Sequence, residues 1–211
     1  MKRIKEDSSG FYDLNKWLYF LLLCLATFAL LLIKKTFVEN ETMAFEILEE
    51  RGQMGFFNLI SGLQYASIPI VYLYKFTIIG FILWVGCFLF GYKVTYSEAW
   101  HVAAISESIF LIAELMKICW FIFLAPESSI FDVRAFYPLS LMNLFDRQAL
   151  DPRWIYPLKA LNLFEIIYWI LLINGIDYKA QKKRNTAKLI VSLSYILLFL
   201  IWLAYYLIIY K

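Results

Sequence analysis

The chain has 211 residues, of which 62% are hydrophobic and 19% aromatic, and its mean hydropathy is +0.66. These values lie outside the usual range of soluble domains, so much of the apolar surface must meet lipid. The net charge of +3 is small, and the aromatic residues are not interleaved with basic ones, which argues against nucleic-acid binding. We therefore predict an all-α, polytopic membrane protein with a single domain over residues 1–211.

A first span and an acidic stretch follow the short basic N-terminus. Residues 17–33 form an uncharged apolar run that ends at Lys34 and Lys35, and without a small-residue cleavage site we expect an uncleaved anchor. Residues 36–52 are acidic and amphipathic, and Gly52 is a good helix stop. This stretch predicts a helix on the membrane surface, and a solvated charged loop is the alternative.

The apolar run over residues 56–92 is too long for one span and contains Pro69. It can lie along the interface over residues 56–67 and then span the bilayer over residues 69–92, or it can form two short spans that turn near Lys75. We favour the first solution because proline suits the first turn of a helix and the residues around Lys75 lack turn chemistry. Lys75 then lies inside the second span.

The third predicted span, residues 102–125, carries Glu107, Glu114 and Lys117 within an apolar run. At 100° per residue these side chains fall within an arc of roughly 80°, so they share one helix face. An uncompensated charge near the bilayer centre costs from about 2.5 to more than 10 kcal/mol. The remaining helices must therefore shield this face.

The C-terminal half predicts one more surface helix and two more spans. The surface helix covers residues 138–150, the fourth span residues 158–176, and the last, uncharged span residues 189–210. The expected architecture is thus five transmembrane helices plus two interfacial amphipathic helices.

Basic residues predict the orientation of these spans. With five spans, the side that holds the N-terminus collects ten Lys and Arg residues, against eight on the opposite side. The positive-inside rule then places the N-terminus in the cytoplasm and the C-terminus outside, in the inner membrane if the cell is bacterial. The loop before the last span dominates this count and also suits anionic lipid headgroups, through Lys179, Lys182, Lys183 and Arg184.

Four ionisable side chains are expected at matched depth in the outer half of the bilayer: Lys75, Glu114, Lys117 and Glu165. At 1.5 Å per residue they lie within roughly 8 Å of each other in depth, so we predict a charge network that joins spans two, three and four. Glu107 lies nearer the cytoplasmic end, where it can reach water or His101, and Asn162 adds a further polar group. The network can serve either as a set of polar contacts that fixes which helices pack together or as a proton or ion path. Its balanced charge favours the first role.

The sequence indicates no enzyme chemistry. It contains no P-loop, dinucleotide-binding or zinc-protease motif, and His101 has no partner at metal-ligand spacing, so we predict no catalytic residue, metal or cofactor. We expect a non-enzymatic scaffold or accessory subunit that contacts lipids and other integral membrane proteins, without a small-molecule substrate. The alternative is a small transporter or channel that uses the charge network.

Residues 158–203 resemble the C-terminal pattern of the YIP family, five-span membrane proteins named for their interaction with Ypt/Rab GTPases. The resemblance depends on four residues that stand in the family's pattern: Asn162, Phe164, Trp169 and Gly175. It implies five spans with a cytoplasmic N-terminus and an external C-terminus, and it carries no catalytic residues. For a chain of this composition it implies a prokaryotic relative of the family.

Overall fold

The computed structural model describes residues 12, 14–39, 54–125, 132–133, 136–146, 150–180 and 184–210. Within these residues the protein is all-helical, as predicted, and forms no β-strand. The α-helices are α1 (Lys16–Lys34), α2 (Met54–Leu89), α3 (Tyr96–Ser106), α4 (Ser108–Phe123), α5 (Pro152–Ala160), α6 (Leu163–Ala180), α7 (Arg184–Val191) and α8 (Leu197–Ile209). Short π-helical segments follow α1 (Lys35–Glu39) and join α7 to α8 (Ser192–Ile196).

Three helical segments of the described chain are long and apolar enough to cross a membrane: Lys16–Val38, Leu59–Leu89 and Thr186–Ile209. They overlap the first, second and last predicted spans. The predicted third and fourth spans fall on interrupted helices, because α3 and α4 meet at Glu107 and α5 ends before Asn162. The count of five spans therefore stays a prediction.

Helix α2 corrects the reading of Pro69 as a helix start. The helix begins at Met54 and continues through Pro69 and Lys75 to Leu89, without a turn near Lys75. A proline removes one backbone hydrogen bond, but in an apolar environment an unbroken helix satisfies the remaining backbone groups better than a loop does. Where the membrane boundary falls along α2 stays a prediction.

The predicted surface helix over residues 138–150 is wrong in the part that the structure describes. Leu139 adopts a positive φ of 53°, and residues 141–144 form only a short 3₁₀ turn. The backbone pairs instead with the start of α6: the Leu141 N–H donates to the Leu161 carbonyl at 3.0 Å, and the Leu163 N–H donates to the Leu139 carbonyl at 3.1 Å. Most of the other predicted surface helix, residues 36–52, lies outside the described residues.

The chain forms two compact units, and each is assembled from separated segments. The first unit takes its described residues from Met1–Leu22, Leu73–Ile109 and Phe164–Lys211, and the second unit from Leu23–Tyr72 and Phe110–Leu163. The two units alternate along the chain, and a single domain over residues 1–211 stays a prediction.

Close packing between α2 and α3 organises the core of the first unit. The Phe76 ring is fully buried and contacts the Trp100 ring edge-on, with their centroids 5.5 Å apart. At Gly80 an added Cβ would lie 2.9 Å from the Trp100 Cα, so the two backbones meet directly. Similarly, a Cβ added at Gly86 would lie 3.0 Å from the Ser194 Cβ. Such small residues let helices pack closely where the hydrophobic effect gives little driving force.

A smaller apolar cluster packs within the second unit. Val38, Phe121 and Val133 are buried together, and Phe136 packs on them with its ring centroid 5.4 Å from that of Phe121. The hydroxyls of Thr27 and Tyr72 are 2.7 Å apart and join α1 to α2. Apolar packing and polar contacts such as this one therefore stabilise the unit.

Helix α3 begins with a capping box, which supports a test of the first unit's stability. The Thr95 hydroxyl accepts from the Glu98 N–H at 3.3 Å, and the Glu98 carboxylate accepts from the Thr95 N–H at 2.8 Å. Thr95→Ala should lower the free energy of unfolding by about 1 kcal/mol because the cap is lost. Detergent-micelle unfolding by SDS titration measures the loss. Thr95→Ser keeps the hydroxyl and should match the wild type, and an equal loss in both variants would contradict the capping role.

Candidate functional site

A partly buried ion pair lies in the first unit where α3 meets α4. The Lys75 Nζ donates to Glu107 Oε1 at 2.6 Å, and Glu107 is only 4% exposed. The second carboxylate oxygen, Oε2, is also buried, and within the described residues it accepts no hydrogen bond. The expectation that Glu107 reaches water or His101 is therefore wrong, because its carboxylate is buried against Lys75.

Two serines that flank Glu107 explain why the helix is interrupted there. The Ser106 hydroxyl donates to the Val102 carbonyl at 2.8 Å, and the Ser108 hydroxyl donates to the Ile105 carbonyl at 2.7 Å. Serine side chains that bond back to the preceding turn compete with the helix ladder and often bend it. Glu107 keeps right-handed helical dihedrals at the junction. The Ser-Glu-Ser sequence is therefore the local signal for this interruption.

A second buried carboxylate, Glu165, lies in the same unit near the start of α6. Its Oε1 accepts from the Trp169 Nε1 at 2.9 Å and from the Tyr195 hydroxyl at 3.1 Å. Trp169 is one helical turn further along α6, whereas Tyr195 belongs to the π-helical segment between α7 and α8. Single π-helical turns inside longer helices are frequent at functional sites.

These groups form one cluster, which we call the carboxylate cluster. Glu165 lies within electrostatic range of Lys75 and Glu107, and the fully buried Tyr168 lies within range of both glutamates. The Tyr168 and Tyr195 rings contact each other with centroids 5.5 Å apart. The members of the cluster are Lys75, Glu107, Glu165, Tyr168 and Tyr195.

The second unit contains the other two residues of the predicted network. Glu114 pairs with Lys34, Oε1 to Nζ 3.2 Å, across α4 and the end of α1. Lys117 is buried in the same unit. In the first unit, Lys75 therefore lies within electrostatic range of Glu165. In the second unit, Glu114 pairs with Lys34. A network of all four predicted residues stays a prediction.

Three further polar residues that the sequence singled out, Asn162, His101 and Lys179, each contact a defined neighbour. The Asn162 Nδ2 donates to the carbonyls of Lys159 and Ala160, at 3.2 and 2.9 Å, and so caps the end of α5. His101 is buried with its ring edge toward Tyr19. The Lys179 ammonium lies 5.3 Å from the centre of the Tyr178 ring.

Most of the other residues predicted to contact lipid headgroups are not described by the structure. Lys182 and Lys183 lie outside them, as does the Arg184 side chain. In the part of the chain that the structure describes, no group of three His, Cys, Asp or Glu side chains has the geometry to hold a metal ion.

The hydroxyl of Tyr195 provides a direct test of the environment of Glu165. Tyr195→Phe removes one donor to a buried carboxyl group and should lower the free energy of unfolding by about 1–3 kcal/mol. SDS titration in mixed micelles measures the change. Tyr205→Phe, at a residue that is 53% exposed on α8, is the matched control and should have no effect. Equal effects of the two substitutions would contradict the role of Tyr195.

Comparison of the chain with family models, with curated proteins and with solved structures yields no match. The class of the protein therefore depends on the fold itself. Over the residues that the structure describes, the protein is all-helical, and three long apolar helices there indicate association with a membrane.

Proposed function

We propose that this chain is an integral membrane protein that acts as a non-enzymatic scaffold or accessory subunit of a membrane protein complex. The observation that carries the proposal is that charged side chains form partly buried ion pairs inside each unit, Lys75 with Glu107 and Lys34 with Glu114. Ion pairs of this kind fix which helices pack together and need no mobile ion.

Exposed apolar helix faces support contact with lipids and with other membrane proteins. The described chain has three segments that are apolar enough to span a membrane, and in an 18-residue apolar stretch of each only 11%, 28% and 22% of the residues are buried. On α8, Trp202 is 52% exposed and Ile201 is 53% exposed. In a bilayer such faces meet lipid chains or the helices of a partner.

The proposed topology has five spans, a cytoplasmic N-terminus and an external C-terminus. It is supported by the distribution of basic residues along the sequence and by three helices that already meet the length and hydropathy of a span. A relationship to prokaryotic members of the YIP family is part of this proposal. Its support is the sequence pattern at Asn162, Phe164, Trp169 and Gly175.

Copurification tests the scaffold proposal. The tagged full-length chain, extracted in a mild detergent, should bring down other integral membrane proteins in stoichiometric amounts. Trp202→Ala on the exposed face of α8 should reduce their recovery, whereas Leu203→Ala, which alters a buried neighbour, controls for a general loss of stability. Recovery of the chain alone, with both variants folded, would contradict the proposal.

A small transporter or channel is the second candidate, and the buried Glu107 Oε2 without a hydrogen-bond partner in the described chain favours it. Intramembrane ionisable groups often mark ion or proton pathways. Liposomes that contain the purified chain and a pH-sensitive dye measure proton flux. Flux that disappears in Glu107→Gln but persists in Glu114→Gln would support transport and overturn the scaffold proposal.

A further inference from the structure

The π-helical segment between α7 and α8 (Ser192–Ile196) holds one residue more than an α-helical turn. The Leu197 N–H donates to the Ser192 carbonyl, five residues back, whereas an α-helix bonds four residues back. Next to this bond the Ser194 hydroxyl donates to the Ile190 carbonyl at 2.6 Å. A serine that bonds back to the preceding turn competes with the helix ladder, so Ser194 is a local reason for the wide turn.

Burial on the two sides of this segment shows where the additional residue goes. On α7 the structure buries Ala187, Ile190 and Val191. On α8 the side chains that face inward are Phe199, Leu203 and Tyr206, of which Leu203 is buried and the others are half-buried. At 100° per residue a continuous α-helix would point the two sets roughly 130° apart, and omission of one residue would reduce this angle to roughly 30°. The wide turn therefore absorbs one residue and keeps both sets on the same side.

Closing the wide turn would rotate α8 without burying a charge. If Ser192–Ile196 becomes α-helical, α8 rotates by roughly 100° about its axis. The side chains that then turn inward are those one position earlier, Leu198, Trp202 and Tyr205, which are exposed in the structure. Every side chain from Leu197 to Ile209 is apolar or aromatic, so either face of α8 can pack inward.

We propose that the π-helical segment is a switch between two registers of α8, which turn different faces of that helix outward. In the register described above, Trp202 is exposed and the Tyr195 hydroxyl donates to Glu165 Oε1. In the second register Trp202 lies inward and Tyr195 turns away from Glu165. Shifts of helix register are among the collective motions of proteins. The inference rests on the proposed scaffold function in one respect: the exposed face of α8 is the surface that a partner helix contacts, so the switch controls that contact.

Thiol cross-linking of the full-length protein in lipid nanodiscs tests the two registers. The Trp169 and Phe199 rings have centroids 6.0 Å apart, so Trp169→Cys/Phe199→Cys should react with a short bifunctional thiol reagent and report the described register. Trp169→Cys/Leu198→Cys should also cross-link, at lower yield, because Leu198 takes the place of Phe199 in the second register. Both pairs lack Trp169, so the loss of its bond to Glu165 is common to them. The native cysteines are replaced by alanine in every variant: Cys24, Cys87 and Cys119.

Deletion of Leu193, an exposed residue of the π-helical segment, locks the switch. Without the additional residue an α-helical turn keeps α8 in the described register. The deletion should therefore preserve the cross-link to position 199 and abolish the cross-link to position 198. Deletion of Leu200, which is also exposed but lies within α8, is the matched control. It should lower the unfolding free energy in SDS titration because it turns Leu203 outward, whereas deletion of Leu193 should not.

Each result decides the proposal. Absence of the cross-link to position 198 in the intact chain, or its persistence after Leu193 is deleted, would overturn the switch. Failure of the Leu193 deletion to fold would overturn it too, because that residue would then not be surplus. If Trp169→Cys prevents folding, single spin labels at positions 198 and 199 replace the cross-links, and each should report two environments in the intact chain and one after the deletion. None of these measurements involves a partner chain, so failure of the switch leaves the copurification test of the scaffold proposal unaffected.

Discussion

Lys75→Met is expected to lower the free energy of unfolding by about 3 kcal/mol, because it leaves Glu107 buried without its positive partner. Removing one member of a buried pair typically costs about 3–5 kcal/mol. We expect the lower end of that range, since the Lys75 side chain is 37% exposed and Glu107 can take up a proton once it is unpaired. SDS titration of the purified protein in mixed micelles measures the loss.

A double-mutant cycle separates the ion pair from other effects of losing the lysine. In Lys75→Met/Glu107→Gln the uncompensated charge is gone, so most of the lost stability should return. Lys93→Met, at an exposed lysine after α2, is the matched control and should change the unfolding free energy by less than about 0.5 kcal/mol. Additive losses in the double variant would show that Lys75 and Glu107 do not stabilise each other.

The interruption at Glu107 explains why the sequence placed Glu107, Glu114 and Lys117 on one helix whereas the structure does not. A continuous helix over residues 102–125 puts Glu107, Glu114 and Lys117 on one face. The structure interrupts that helix, and Glu107 belongs to the first unit whereas Glu114 and Lys117 belong to the second. A prediction based on one continuous helix therefore could not separate Glu107 from Glu114 and Lys117, and the four-residue network stays a prediction.

Other differences follow from contacts between distant parts of the chain. Hydropathy is sufficient to find the three segments of the described chain that are long and apolar enough to cross a membrane, because their apolar runs are continuous. The Trp169 bond to Glu165 was visible in principle, since the residues are four apart on one helix. The Tyr195 bond was not, because a π-helical turn in another segment aims that hydroxyl. Likewise, local propensity in residues 138–150 gave no sign of the backbone bonds that Leu139 and Leu141 make near the start of α6.

Gly80→Ala is expected to be the most damaging small substitution in α2, although alanine is the better helix former. The added methyl would meet the Trp100 Cα at 2.9 Å and the Trp100 N at 3.1 Å. These are backbone atoms of α3, so no side-chain rotation relieves the contact and the helices must move apart. Overpacking of this kind costs about 1–3 kcal/mol, and the intrinsic helix gain of about 1 kcal/mol offsets only part of it.

Gly62→Ala on the same helix is the matched control, and its effect should have the opposite sign. In the described residues nothing lies within 4 Å of a Cβ built at Gly62, so only the gain in helix propensity remains. Stability should then rise by about 0.5–1 kcal/mol. SDS titration measures the unfolding free energy of both variants. Because each adds one methyl group, the difference between them reports the cost of the close contact at Gly80. Equal effects at Gly62 and Gly80 would rule out the α2–α3 contact as the cause of the loss.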